Sequence, residues 1–350
     1  MNADRITIRR PDDWHVHFRD GAMLAAVVPY TARQFARAIV MPNLQQPVTT
    51  IADADAYRER IVIAVPADCD FTPLMTCYLT DNADADEIAR GSRSGGFAAV
   101  KFYPAGATTN SDAGVTDVAN VSTVLERMQE IGMPLLVHAE ITDPDVDIFD
   151  REAVYIDRVL GPLIRGFPEL KVVMEHVTTK DAVEFVRARA AQAPGRIGAT
   201  ITAHHLVINR SDIFRGGIRP HLYCLPIAKR ETHRVALRDA ATSGDAAFFL
   251  GTDTAPHSRK LKETVCGCAG VFTAPTALET YTQVFDEDGA LDKLEAFASL
   301  NGPAFYGLEA NENYVTLERA SMTVPKAVET ADGDAVLVFG GGESLSWRLV

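Results

Sequence analysis

Eight short apolar runs, each followed by a stretch long enough for a helix, constrain the fold of this chain more than any other feature. The runs fall at 14–18, 36–41, 72–79, 98–103, 134–139, 171–177, 197–205 and 247–252. Most lack strict alternation, as strands buried on both faces do. Between them, Val118, Val121, Leu125, Met128 and Ile131 recur at helical spacing until Gly132 and Pro134 stop the pattern. Segment 151–167 carries Val154, Val159, Leu163 and Phe167 on a looser period, and 52–65 and 180–193 also read as helices. Alternating βα units predict a parallel sheet, and eight of them predict a closed TIM (β/α)8 barrel. A doubly wound open sheet is the alternative, but no GxGxxG follows the first strand. No linker divides the 350 residues. The expectation is a single domain, 1–350, in which 310–350, with its β-prone AVLVF and SWRLV, forms a C-terminal extension packed on the barrel.

Residues i and i+2 of a strand face the same side. In the first run, WHVHFRD, His15 and His17 are therefore expected to point into the barrel and Val16 toward the helices, with Arg19 just beyond. Barrel active sites lie at the carboxyl ends of the strands. Polar residues interrupt four further runs near that end: Lys101 in AAVKFYP, His138 in PLLVHAE, His176 in KVVMEHV and Asp253 in FFLGTDTAPH, which His257 closes. Singly, each has an ordinary reading: a terminal His as a hydrogen-bonding group, a Lys that snorkels to water, an Asp that caps a helix. Together they put four His, one Lys and one Asp on one mouth, a set that suits a borderline metal such as zinc. A protonated Lys101 offers a metal no lone pair. A neutral amine can instead add carbon dioxide and become a carbamate, whose two oxygens can bridge two metals.

Composition narrows the partners. A net charge of −13 speaks against nucleic acid or an anionic membrane surface, which need a basic face. No apolar run approaches the length of a membrane span. Five cysteines, at 69, 77, 224, 266 and 268, form no framework; with a polar start, MNADRITIRRPDDW, they suggest reduced thiols and a cytoplasmic setting. The CxC of Cys266 and Cys268 lacks the second pair that a metal motif needs. His204, His205, His221 and His233 read as hydrogen-bonding groups, and Trp14 as core.

The order HxH, Lys, His, His, Asp along the strands resembles the amidohydrolase superfamily. The longer series WHVHFRD, VMPN, KFYPAGATTNS, LLVHAE, MEHVTT, RPHLYCLP, GTDTAPH, CGCAGVF and NGPAFYGL covers nearly the whole chain and is similar to the short bacterial-type dihydroorotases. The resemblance implies zinc-dependent, reversible cyclisation of N-carbamoyl-L-aspartate to L-dihydroorotate, in de novo pyrimidine synthesis. It implies two zinc ions, the more buried held by His15, His17 and Asp253 and the more exposed by His138 and His176. N6-carboxylated Lys101 and a hydroxide would bridge them, with Asp253 as the proton shuttle. Arg19, Asn43 and His257 would hold the substrate carboxylate, Leu225 and Ala269 would meet the ring amide through their backbones, and His138 would also touch substrate. Thr108 and Thr109 would lie on a mobile loop that closes over the site. A homodimer is implied as well. The competing readings are another cyclic amidase, such as a dihydropyrimidinase or hydantoinase, and a catalytically silent scaffold.

Overall fold

The computed structural model describes residues 4–350. A strand outside the barrel, β1 (Arg5–Arg9), comes first. Then follow β2 (Asp12–Val16), β3 (Arg37–Val40), β4 (Thr72–Tyr78), β5 (Ala99–Phe102), β6 (Leu135–Val137), β7 (Val172–Met174), β8 (Ile197–Ile201) and β9 (Phe248–Leu250), with each of β3 to β9 paired parallel to the one before it. The ring closes where β9 returns to β2. There Val16 and Thr254 form a parallel bridge, the Asp253 N–H donates to the His15 carbonyl at 2.9 Å, and the His17 N–H donates to the Thr254 carbonyl at 3.0 Å. The expected barrel is therefore present.

Burial on both faces explains the near-continuous apolar runs. Ile39, Met41, Ala99, Leu136, Val173 and Phe249 pack together inside the barrel, while their neighbours Ala38, Val40, Val100, Leu135, Val172 and Phe248 pack under the helices. β2 departs from this alternation. Asp13 pairs with Ala38 and Val16 with Val40, so three steps on β2 span two on β3, which is a bulge. The extra residue lets Trp14 join the interior layer, stacked on Tyr306 at 4.4 Å, without turning His15 away from the mouth.

β2 is displaced two residues from the run 14–18 and leaves His17 just past its end, the other strands are shorter than their apolar runs, and one run changes character. The run 197–205 stops being a strand at Ile201. Thr202 accepts the His205 N–H at 3.1 Å and caps a short helix, Ala203–Val207, so His204 and His205 lie on that helix and not at a strand end. Helices Ile51–Ala64 and Lys180–Gln192 form where the sequence places them, and the 118–131 pattern is a 3-10 turn, Val118–Val121, leading into helix Ser122–Ile131. The looser period of 151–167 has a structural cause. The helix passes from Arg151–Tyr155 through a π turn, Ile156–Leu160, into Gly161–Gly166, and the wider turn accommodates the longer step from Val154 to Val159.

The remaining strands are β10 (Tyr314–Thr323), β11 (Ala327–Glu329), β12 (Ala335–Leu337) and β13 (Ser344–Leu349). β10 pairs antiparallel with both β13 and β1, so the two ends of the chain share one sheet. The polar character of β1 hides this pairing in the sequence. Asp286, on helix Ala277–Glu287, accepts from Trp347 Nε1 at 3.1 Å and from Arg319 at 2.6 Å, which fastens the sheet to the barrel's helical layer.

Candidate metal and substrate site

The bulge in β2 and the ends of β5, β6, β7 and β9 bring the predicted polar residues to one place. His15 Nε2 and His17 Nε2 lie 3.3 Å apart, and Asp253 Oδ1 lies 3.4 and 3.2 Å from them. The ring centroid of His176 is 4.8 Å from that of His15 and 4.9 Å from that of His138. Lys101 is fully buried, and its Nζ has no hydrogen-bond partner; neither has Nδ1 of His176. Buried nitrogens in this state are costly unless a ligand completes them. Convergent ring nitrogens, a carboxylate oxygen and an unpartnered amine are a donor set that fits a divalent cation of borderline softness.

Three carboxylates missing from the sequence reading support this set. Glu175 Oε2 accepts from His15 Nδ1 at 2.8 Å and from the Thr200 hydroxyl at 2.6 Å. With Nδ1 carrying the proton, the Nε2 lone pair of His15 faces His17 and Asp253. Glu140 Oε2 lies 3.0 Å from His138 Nε2, in the same relation to the second pair of imidazoles. Asp13 accepts the backbone N–H of His15 at 3.2 Å and of Thr252 at 2.9 Å, and the Thr252 hydroxyl at 2.6 Å, tying β2 to the end of β9. One signal was available: Glu175 follows Val173 by two and so must face the interior. A carboxylate there needs a partner.

The backbone is bent to serve the site. Only four non-glycine residues among those described have positive φ: Arg19 (61°), Asn110 (53°), His176 (39°) and Asp253 (45°). Such conformations are sparsely populated and cluster at functional sites. At His176 the bend lets two successive residues, Glu175 and His176, both face the mouth, which a regular strand forbids. Gly251 has a steric reason: a Cβ there would come within 2.7 Å of Thr200 Cβ.

Burial sets the charges. It drops His17 to about 3, helped by the Arg19 cation, and holds His138 and His176 below the ordinary imidazole range. These rings are neutral, with lone pairs to offer. Burial works against the Asp253 carboxylate, but the hydrogen bond from His17 holds it well below the usual range, so it is an anion. Burial also brings Lys101 down to about 8, against the pull of Glu175 and Asp253.

Beside this cluster stand the residues expected to bind substrate. Arg19 donates through Nε to the Pro256 carbonyl at 3.0 Å, and its Nη2 lies 2.9 Å from His257 Nε2. Burial and the charges of Arg19 and Lys262 drop His257 to about 2, and its Nε2 also lies 3.0 Å from the Ala269 carbonyl. Asn43 donates from Nδ2 to the Thr109 carbonyl at 2.9 Å, and the Asn110 side chain donates to the Asn43 carbonyl at 3.0 Å. Loop 104–115 is thus latched over the mouth. His17, Arg19, Asn43, Thr108, Thr109, His138, His176, Leu225, Asp253 and Ala269 line one cavity together with Tyr103, whose buried hydroxyl has no partner. Its volume is about 20 Å³, room for about one water. Of the other residues the sequence singled out, His15 adjoins this lining through His17 and Asp253, and His257 through Arg19 and Ala269, while Lys101 is buried over the Tyr103 ring. His221 and His233 lie apart, the first against Glu263 at 3.1 Å and the second accepting the Lys180 N–H at 2.9 Å.

A parallel eight-stranded barrel with imidazoles, a carboxylate and a buried lysine at its carboxyl-end mouth has the design of a barrel hydrolase built around metal. The sequence profile of the amidohydrolase family matches residues 12–312. The dihydroorotase of Sphingopyxis alaskensis is 65% identical over 99% of this chain and 100% of its own. Among solved structures, the dihydroorotase of Saccharomyces cerevisiae in complex with 5-fluoroorotic acid superposes with a TM-score of 0.92 at 32% identity, covering 99% of both chains. That of Campylobacter jejuni superposes with a TM-score of 0.90 at 36% identity, covering 100% of this chain and 98% of that one. The chain belongs to the amidohydrolase family and, within it, to the dihydroorotases.

Proposed function

We propose that this chain is a two-zinc dihydroorotase, interconverting N-carbamoyl-L-aspartate and L-dihydroorotate in de novo pyrimidine synthesis. The observation that carries the reading is the convergence of His15, His17 and Asp253 beside the Arg19–His257 pair, which sets a cluster suited to a metal next to a guanidinium suited to a carboxylate. His15, His17 and Asp253 would hold one ion and His138 and His176 the other, with N6-carboxylated Lys101 as a ligand shared by both. Burial supports that modification. With its pKa brought down to about 8, Lys101 has an appreciable neutral fraction near neutral pH, and only a neutral amine adds carbon dioxide, releasing one proton as the carbamate forms. When bound, the ions would supply a more acidic water and Lewis-acid polarisation of the ring carbonyl.

The chain's own groups do the rest. Asp253 takes the proton of the attacking water and delivers it to the departing ring nitrogen; in the biosynthetic direction it returns that proton. Arg19 grips the substrate carboxylate through parallel N–H donors, and Asn43 has a second amide hydrogen for the same group. Neutral His257 orients it. Leu225 and Ala269 meet the ring amide through their backbones. Thr108 and Thr109 close over the ring and exclude water. A dihydropyrimidinase or hydantoinase reading fares worse: the L-hydantoinase of Arthrobacter aurescens shares the fold at 15% identity, TM-score 0.80, covering 98% of this chain and 83% of that one, and a substrate without an acid would leave Arg19 unpaired. The filled ligand positions argue against a silent scaffold. We take residues 1–350 as one domain with 310–350 as its extension, which the sheet joining β1 to β10 supports. We also take the chain as a cytoplasmic homodimer; the five unpaired cysteines favour a reducing compartment. Chelation tests the metal requirement. Stripped protein should lose turnover and regain it with zinc, and full turnover in metal-free protein would contradict the proposal.

A further inference from the structure

Lys262 is a buried cation with an unusual set of partners. It ends a short helix, Arg259–Lys262, beyond β9. Its Nζ donates to three backbone carbonyls, Cys268 at 2.7 Å, Tyr223 at 2.8 Å and Gly270 at 2.9 Å. An ammonium has three donors, so all are used. The chain carries 47 acidic residues, yet no carboxylate pairs with this ammonium among the described residues. Burial of an unneutralised charge is costly unless its hydrogen bonds are complete, which makes the choice of three carbonyls informative.

The three carbonyls belong to two separate loops, 223–226 and 266–270. Those loops meet directly, the Gly270 N–H donating to the Tyr223 carbonyl at 3.0 Å, and Gly270 also abuts the segment after β9, where a Cβ on it would come within 2.4 Å of the Ala255 carbonyl. Ala269 sits between two gripped residues, Cys268 and Gly270, so its peptide groups are held from both sides. Leu225 lies two residues beyond gripped Tyr223. The Ala269 carbonyl in turn lies 3.0 Å from His257 Nε2, so the grip reaches the carboxylate-binding cluster.

We infer that Lys262 is a positioning residue for substrate affinity, its ammonium holding together the loops that present Leu225 and Ala269 to the ring. The effect on affinity rests on the dihydroorotase reading above; the gripping of the loops does not. A single nitrogen reaches three carbonyls that converge on one point, whereas a guanidinium sends its donors outward in a plane. Arginine therefore keeps the charge but not the grip, and it separates this role from one played by charge alone.

The test compares the zinc-loaded protein with its Lys262→Met and Lys262→Arg variants. Steady-state kinetics with L-dihydroorotate should show KM raised about tenfold or more in both, with kcat within about threefold of wild type. Amide hydrogen exchange should rise in 223–225 and 268–271 of Lys262→Met, with β6 and β7 unchanged. If Lys262→Met does not fold, Lys262→Arg carries both readouts. A wild-type KM in either folded variant overturns the inference, as does a fall in kcat with unchanged KM. If wild type does not turn over dihydroorotate, the dihydroorotase reading fails, and loop exchange alone decides the grip: protection unchanged by substitution refutes it.

Discussion

Replacing Glu175 by glutamine should weaken metal binding while leaving the fold and the ligands in place. Glu175 touches no predicted metal position itself. Its Oε2 accepts from His15 Nδ1 at 2.8 Å, and both side chains are fully buried. A neutral imidazole carries one proton and can place it on either nitrogen. The carboxylate holds it on Nδ1, which leaves Nε2 free for the cluster with His17 and Asp253. An amide keeps the size but not the charge. Hydrogen bonds to a charged group are worth about 1.5–3 kcal/mol, the upper estimate of what the substitution removes. That corresponds to about 10–100-fold in metal affinity, the usual cost of losing such an outer partner. The Thr200 hydroxyl, 2.6 Å from the same oxygen, competes for what the amide still accepts. Competition with a chromophoric chelator measures the affinity directly. Turnover at saturating zinc should recover much of the wild-type kcat, because every ligand remains. An unchanged affinity would refute the reasoning: His15 would then need no outside group to set its tautomer. An affinity loss that excess zinc does not relieve would show that Glu175 acts in the chemistry.

Two further outcomes follow from the same site. Asp253→Asn should lower kcat by about 10²–10⁴, the usual contribution of a positioned proton acceptor, while much of the bound metal survives; near-normal turnover would remove Asp253 from the proton path. The buried histidines set the response to acid. Their pKa values are lowered on folding, His17 to about 3 and His138 and His176 below the ordinary range, so the unfolded chain binds protons that the folded one refuses. Stability of the metal-free protein is then greatest above the unfolded imidazole value and falls as pH drops below it, so Tm should decrease between about pH 7.5 and 5.5. A Tm that stays flat or rises as pH falls through that range would show that these rings titrate normally.

Much of this architecture is legible in the sequence because few physical rules produce it. Parallel strands buried on both faces are written as continuous apolar runs, so a polar residue inside one stands out. Lys101, His138 and His176 were visible for that reason, and HxH follows from a period of two. What was hidden depends on departures from regularity or on distance in the chain. The bulge in β2 adds a residue that no local pattern marks. The strand 197–205 is cut short by a Thr202 cap that competes with an otherwise strand-like run. The π turn at Ile156–Leu160 left a trace, the stretched step from Val154 to Val159, which gains its meaning only beside the helix. Glu175, Glu140 and Asp13 show why the supporting shell is hard to find. Each is an ordinary carboxylate in the sequence, and its role comes from a partner brought near by the fold. β1 pairs with β10 across almost the whole chain, a contact that no short-range pattern can specify. The roles of Leu225 and Ala269 came from resemblance alone, since a backbone group leaves no mark in residue type.

The most direct test of the central claim is the initial rate of L-dihydroorotate hydrolysis by purified, zinc-loaded protein, with dihydrouracil measured beside it. The two rings differ by the carboxylate that Arg19, Asn43 and His257 are proposed to hold. The account predicts rapid turnover of dihydroorotate and little of dihydrouracil, with the preference collapsing in Arg19→Met through a raised KM for dihydroorotate. Preferential turnover of dihydrouracil, or turnover of neither ring with zinc confirmed bound, would contradict it.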